Sequence, residues 1–118
     1  MIERIMTSMP TADDGIVGLR ILVVEDEALI AESISTGLTR AGCNIVAAVD
    51  TGAAAIEAAT ELRPDLVLMD IHLKGEMDGI EAASVITERL RVPVVYLTAH
   101  SDRATLQRAT AAQMSSLI

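Results

Sequence analysis

Leu66-Val67-Leu68-Met69-Asp70 is the stretch that decides the fold, because four apolar residues run directly into one carboxylate. A short continuous apolar run of this kind is typical of a strand that is buried on both faces, as in parallel sheets. Two further runs have the same form, at residues 21–24 and 94–97. The three runs predict three strands of a buried α/β sheet.

Oxygen-bearing side chains follow all three runs. In chain order, Glu25 and Asp26 follow the run at 21–24, Asp70 follows the run at 66–69, and Thr98 follows the run at 94–97. In open α/β sheets the carboxyl ends of the strands are where ligands bind. A single acid after a strand is common in α/β proteins, but three acids and a hydroxyl at one edge indicate a binding site much more specifically. The pattern predicts that these four residues share one crevice.

Strands alternate with helices along the chain. The strands are predicted at residues 19–24, 44–49, 66–69 and 93–97, and the helices at residues 27–40, 52–62, 79–90 and 102–112. Gly42 is expected just past the first helix, while Thr51 and Asp78 are expected to cap the second and third. This order predicts a parallel sheet with right-handed crossovers and helices on both faces. Residues 1–18 are predicted to be a flexible leader, and residues 19–118 one domain.

Composition narrows the class of protein further. The chain has 118 residues and a formal charge of −8, which argues against direct binding of nucleic acid or of an anionic membrane. With one Tyr and no Phe or Trp, the core must be aliphatic. The single cysteine, Cys43, cannot form an intramolecular disulfide and is expected to be a buried thiol. No signal peptide or membrane-spanning run is apparent, so a soluble cytoplasmic protein is expected.

Four motifs carry a resemblance to a known family: ILVVEDE (21–27), PDLVLMDIHL (64–73), MDGIEAA (77–83) and PVVYLTAHSD (93–102). In this order and at these intervals they resemble the receiver domain of two-component response regulators. The resemblance covers residues 19–118. It implies a flavodoxin-like, doubly wound parallel sheet with strand order 2-1-3-4-5.

The resemblance also implies a role for each site residue. Asp70 matches the aspartate that accepts a phosphoryl group, and Thr98 matches the hydroxyl that contacts the phosphoryl oxygens. Glu25 and Asp26 match the acidic pair that, with Asp70 and the backbone carbonyl of His72, holds a divalent cation. At ~4 Å and an effective dielectric of about 20, each carboxylate pair repels by roughly 4 kcal/mol. Mg²⁺, which prefers oxygen ligands, would relieve that repulsion.

The function implied is that of a phosphoacceptor signalling module, with a sensor histidine kinase or a phosphotransfer protein as donor. Such a module is not an enzyme beyond its own phosphorylation and dephosphorylation. The alternative is an interaction or dimerisation module that works without phosphorylation. His72 and His100 could also bind Zn²⁺ or provide a histidine general base. An aspartyl-phosphate hydrolase is disfavoured, because such enzymes have a second acid at the position of His72.

The sequence departs from the family near its C-terminus. Its one lysine, Lys74, lies in a predicted loop, whereas receivers place a lysine after the fifth strand. Aligning residues 113–118 with that strand puts the lysine beyond Ile118. The fifth strand and fifth helix are therefore expected to be incomplete or missing, with Arg103 or Arg108 as substitute cations. An uncovered sheet edge would favour a homodimer or a C-terminal domain swap.

Overall fold

Seven elements form the part of the chain that the computed structural model describes, residues 17–97. The strands are β1 (Arg20–Val24), β2 (Asn44–Val49), β3 (Leu66–Asp70) and β4 (Val94–Leu97), and the helices are α1 (Ala28–Arg40), α2 (Gly52–Leu62) and α3 (Gly79–Leu90). All strand pairs are parallel, in the order β2-β1-β3-β4. This confirms the predicted doubly wound sheet. The expected last helix, the fifth strand and residues 1–16 of the leader lie outside the described residues.

The strands β1 and β3 are central and are shielded from water on both faces. Residues 21–24 and 67–69 are all 0% exposed. Such burial is what continuous apolar runs require, so the interpretation of these two stretches is confirmed. β3 extends one residue beyond its predicted end, so that Asp70 belongs to the strand and pairs with Leu97 of β4.

Each face of the sheet carries its own helices, because alternate residues of a strand point to opposite faces. On one face, α1 packs Ile34 and Leu38 against Ile21, Val23 and Leu68. The other face is covered by α2 and α3, whose inner side chains are mostly alanines that allow close approach to the sheet. The buried cluster on that face contains Leu22, Val24, Val67, Met69, Ala55, Ala59, Ala82, Ala83 and Ile86.

Helix α1 ends as the sequence predicts. Gly42 has a left-handed backbone with φ +101°. Its N–H donates to the Thr39 carbonyl and the Cys43 N–H donates to the Leu38 carbonyl, both at 3.0 Å, which is a Schellman motif. Cys43 is buried at the start of the next segment, as expected, and burial raises the pKa of its thiol.

Helices α2 and α3 begin at the predicted caps. The Thr51 hydroxyl accepts a hydrogen bond from the Ala54 N–H at 3.1 Å. The Asp78 carboxylate accepts from the Glu81 N–H at 2.9 Å, and the Glu81 carboxylate accepts from the Asp78 N–H at 3.2 Å. This reciprocal pair is a capping box, which satisfies two donors at the start of α3.

Helices α2 and α3 end where the sequence predicts, at Leu62 and Leu90, but the conformation of the next residue was not predicted. Both helices stop at an arginine in the left-handed region, Arg63 with φ 47° and Arg91 with φ 59°. The Arg20 guanidinium then donates to the carbonyls of Leu62 and Arg63, both at 2.8 Å. A cation at a helix C-terminus satisfies carbonyls that have no partner within the helix. Arg20 therefore fixes the end of α2 to the start of β1.

Few large apolar side chains are exposed on the described surface. Val17 and Leu29 are the two that stand out, at 63% and 82% exposure. Within residues 17–97, no helix combines the length and the apolar character that crossing a bilayer requires.

Candidate functional site

The register of β1 and β3 brings three carboxylates together. Val24 of β1 lies opposite Met69 of β3, so Glu25 leaves the sheet beside Asp70. Carboxylate oxygens of Glu25, Asp26 and Asp70 all lie within 4.8 Å of one another. The structure thus places three of the four predicted site residues in one cluster at the carboxyl edge of the sheet.

Glu25 is the buried member of this cluster, at 5% exposure. Burial raises the pKa of its carboxyl to about 8, and hydrogen bonds with Asp70 and Asp26 together with the charge of Asp70 act in the same direction. The N–H of Glu27, which donates to Glu25 Oε2 at 3.1 Å, opposes the rise in pKa. Glu27 was predicted to open the first helix but precedes its first residue and makes no side-chain cap bond. Burial and the neighbouring acids thus favour the neutral form of Glu25 over its charged form.

Asp70 is held from the loop that follows it. We name residues 71–78 the acceptor loop, after the role that the sequence predicts for Asp70. The His72 N–H donates to Asp70 Oδ1 at 3.2 Å, while the His72 side chain is exposed. The bond orients one oxygen of the Asp70 carboxylate.

The start of α3 packs directly against the backbone of Asp70 and Ile71. The Gly79 N–H donates to the Ile71 carbonyl at 3.0 Å. A Cβ at Gly79 would overlap the Asp70 carbonyl oxygen and lie 2.9 Å from the Ile71 Cα. Glycine is therefore required here by close approach of two backbones. From the sequence Gly79 is predicted only as the first residue after a helix cap, and nothing local indicates this close contact.

Apolar side chains anchor the first residue of the acceptor loop in the core. Ile71 and Ile80 are buried together, with Tyr96 of β4 packed against them. Burial raises the pKa of the Tyr96 hydroxyl, and the charge of Asp78 raises it further. The phenol therefore lies close to the start of α3, and the loop's first residue is anchored in the core.

A groove of about 550 Å³ adjoins the carboxylates, between α1, the end of β2 and the start of α2. Four of its lining residues are acids, Glu25, Asp26, Glu32 and Asp50, and the others are small or apolar: Ala28, Ala31, Ser35, Ala48, Val49 and Ala54. The negative lining favours cations and cationic groups at this edge of the sheet.

The carboxylate cluster fits a hard divalent cation. Mg²⁺ takes oxygen ligands, retains several waters and is usually held by one or two carboxylates together with phosphate oxygens. Glu25, Asp26 and Asp70 supply such oxygens within one small volume. The remaining predicted contributor, the His72 carbonyl, belongs to the acceptor loop that meets Asp70.

Thr98 and the other C-terminal candidates are outside the residues that the structure describes. These are Thr98, His100, Arg103 and Arg108. The register of β3 and β4 pairs Asp70 with Leu97, which directly precedes Thr98 in the chain. The expected placement of the hydroxyl next to the acceptor therefore stays a prediction.

Sequence comparisons identify relatives of this chain. The sequence matches the response regulator receiver domain family over residues 21–118. It is 41% identical to the transcriptional regulatory protein PdtaR of Mycobacterium tuberculosis over 104 residues, which cover 88% of this chain and 50% of PdtaR. It is 45% identical to the DNA-binding response regulator MtrA of the same organism over 83 residues, which cover 70% of this chain and 36% of MtrA. The chain thus spans half or less of these relatives.

Solved structures show the same fold. The signal receiver domain of a modulated diguanylate cyclase from Desulfovibrio desulfuricans G20 is 33% identical, with a TM-score of 0.77 over 81% of this chain and 76% of that one. The signal receiver domain of NarL from Mycobacterium tuberculosis is 30% identical, with a TM-score of 0.75 over 81% of this chain and 78% of that one. Fold, carboxylate cluster and sequence agree: the chain belongs to the response regulator receiver domain family.

Proposed function

We propose that this receiver domain is a cytoplasmic phosphoacceptor module of a two-component system. In this proposal Asp70 takes a phosphoryl group from a sensor histidine kinase or a phosphotransfer protein and passes a conformational change to a partner. The observation that carries the proposal is the convergence of Glu25, Asp26 and Asp70 within 4.8 Å at the carboxyl edge of the sheet.

The proposed step is a transfer between two nucleophiles. A carboxylate oxygen of Asp70 bonds to phosphorus while the bond from phosphorus to the donor's imidazole nitrogen breaks, and that electron pair stays on the nitrogen. The His72 N–H donates to Oδ1 of Asp70 and so orients the carboxylate for this step. Glu25 would give up its proton to become a cation ligand, because a cation nearby would favour its charged form.

Four groups would hold Mg²⁺: the carboxylates of Glu25, Asp26 and Asp70, and the backbone carbonyl of His72. A bound Mg²⁺ would neutralise the negative charge that develops on the phosphoryl oxygens. Thr98 is proposed to donate a hydrogen bond to one of those oxygens. The chain catalyses at most its own phosphorylation and dephosphorylation, because the proposed acceptor is one of its own side chains.

The output of the switch is a further part of the proposal. Phosphorylation adds about −1.5 to −2 of charge, in a crevice that is already acidic. PdtaR is a transcriptional regulatory protein and MtrA a DNA-binding response regulator, and this chain matches about half or less of each. We propose that the charged state is recognised by another domain or protein, because the chain's net charge of −8 disfavours direct contact with nucleic acid.

Intact-mass measurement after incubation with Mg²⁺ and acetyl phosphate tests the acceptor role. We expect one phosphate adduct in the wild-type chain and none in Asp70→Asn, which preserves the size of the side chain. A wild-type chain that stays unmodified under conditions that label another receiver domain would contradict the proposal. It would favour the alternative of an interaction module that works without phosphorylation.

A further inference from the structure

Two contacts join the acceptor loop to the first turn of α2. Lys74 forms an isolated parallel β-bridge with Thr51. Met77 lies so close to Gly52 that a Cβ at Gly52 would be 3.1 Å from both Cγ and the carbonyl oxygen of Met77. We name this pair of contacts the latch. It connects the loop after the acceptor to a helix that carries none of the three clustered carboxylates.

We propose that the latch positions Asp70 for cation binding and phosphoryl acceptance, with Gly52 and Met77 as positioning residues. The inference rests on the proposed function of Asp70 and deepens it. It concerns contacts that touch no carboxylate of the site, so their effect on the site must pass through the loop.

The loop transmits a displacement because its two ends are fixed. At the first end, Ile71 is buried and its carbonyl accepts the Gly79 N–H at 3.0 Å. At the other end, Asp78 is held by the capping box with Glu81. Because both ends are held, a shift in the middle of the loop must change the positions of the residues between them. One of these residues is His72, whose N–H donates to Asp70 Oδ1.

Helix α2 is the rigid side of the latch. Its residues Ala55 and Ala59 are 0% exposed in the core, and Thr51 already accepts a hydrogen bond from the Ala54 N–H. A methyl group added at Gly52 would consequently displace Met77 and the acceptor loop, since the packed helix has less freedom to move. A movement of a few tenths of an ångström is small for the fold but large for a hydrogen bond of 3.2 Å between His72 and Asp70.

The test compares Gly52→Ala, Met77→Ala and the double variant in the full chain. Mg²⁺ binding is measured by calorimetric titration, and the His72 amide is followed by NMR. We expect Gly52→Ala to weaken Mg²⁺ binding by about tenfold, the size of effect seen when groups that support metal ligands are disturbed, and to shift the His72 amide resonance. Met77→Ala added to Gly52→Ala should restore part of the affinity, because it removes the Cγ that the new methyl group meets.

A purely structural contact would behave differently. Alanine is the better helix former, so Gly52→Ala would then change thermal stability and leave both Mg²⁺ affinity and the His72 amide resonance at wild-type values. That result would overturn the inference. If Gly52→Ala does not fold, Met77→Ala alone decides: weaker Mg²⁺ binding supports the latch, and unchanged binding overturns it.

The same measurements separate this inference from the proposed function. A chain that binds Mg²⁺ and responds to Gly52→Ala, yet gains no phosphate from acetyl phosphate, keeps the latch and loses the acceptor role. A wild-type chain that binds no Mg²⁺ overturns both proposals.

Discussion

Val24 and Met69 lie opposite each other in the parallel pair of β1 and β3, and this one register position sets the chemistry of the site. It makes Glu25 and Asp70 neighbours at the sheet edge, where Glu25 is almost completely buried. A register shift of one residue would reverse the faces to which the side chains point and separate the two acids. The pairing of the two central strands thus brings the two carboxyl groups together at one edge of the sheet.

The first prediction concerns the pH dependence of stability. In the metal-free chain the free energy of unfolding should fall as pH rises from 4.5 to about 8. In this window the folded chain keeps a proton on Glu25 that the unfolded chain has released, so a higher pH favours unfolding. Above this window Glu25 is ionised in both states, so its titration no longer changes the stability. Thermal unfolding in EDTA near the two limits measures the effect.

Two variants isolate Glu25 in that experiment. Glu25→Gln removes the titrating group and should remove most of the fall in stability. Glu32→Gln, at an exposed position of α1, is the matched control and should leave the fall unchanged. A Glu25→Gln chain whose stability follows pH as the wild type does would show that another group is responsible.

The second prediction concerns Gly79. Gly79→Ala should destabilise the fold by about 1–3 kcal/mol, because the methyl group overlaps the backbone of Asp70 and forces the start of α3 away from β3. Chemical denaturation measures the change. Ala53→Gly, at an exposed position in the first turn of α2, measures helix propensity alone. A Gly79→Ala chain as stable as the wild type would contradict the close approach seen here.

The third prediction uses the one tyrosine in the sequence. Its ultraviolet titration reports Tyr96 alone, and we expect a pKa above the ordinary value of 10 because burial disfavours the phenolate. Asp78→Asn keeps a good helix cap but removes the negative charge, so it should lower the pKa of Tyr96. Burial, the larger cause, should still keep the pKa above 10. An unchanged titration curve in Asp78→Asn would exclude the contribution of Asp78.

The fourth prediction concerns the end of the sheet remote from the carboxylates. Arg20→Ala should lower stability by about 1–2 kcal/mol, because the carbonyls of Leu62 and Arg63 lose a charged donor. Mg²⁺ binding should stay at the wild-type level. Arg20→Lys, which keeps the charge but not the planar fork, should be intermediate in thermal unfolding. Equal stability of Arg20→Ala and the wild type would mean that water replaces the guanidinium without loss.

Much of the fold could be predicted because its signals are local. The buried runs of β1 and β3, the glycine after α1 and the caps at Thr51 and Asp78 each follow from a few neighbouring residues. The convergence of three acids was also predictable, because the carboxyl ends of parallel strands meet at one edge.

Other features depend on contacts between distant segments. Nothing local distinguishes Gly79 from an ordinary helix start, since its requirement arises only when α3 meets Asp70. Arg63 and Arg91 adopt the left-handed conformation at positions where glycine usually indicates a helix end. The raised pKa of Glu25 needs the burial that the complete sheet provides.

A substitution at Arg91 is expected to make the fold more stable without touching the carboxylate cluster. Arg91 is exposed and has a left-handed backbone with φ 59°. It precedes the amino end of β4 and so lies at the edge of the sheet opposite the carboxylates. A left-handed conformation costs a residue with a Cβ roughly 1–2 kcal/mol, and glycine is spared most of it. Arg91→Gly would accordingly yield a more heat-resistant background in which weak variants of the acidic site remain folded and measurable.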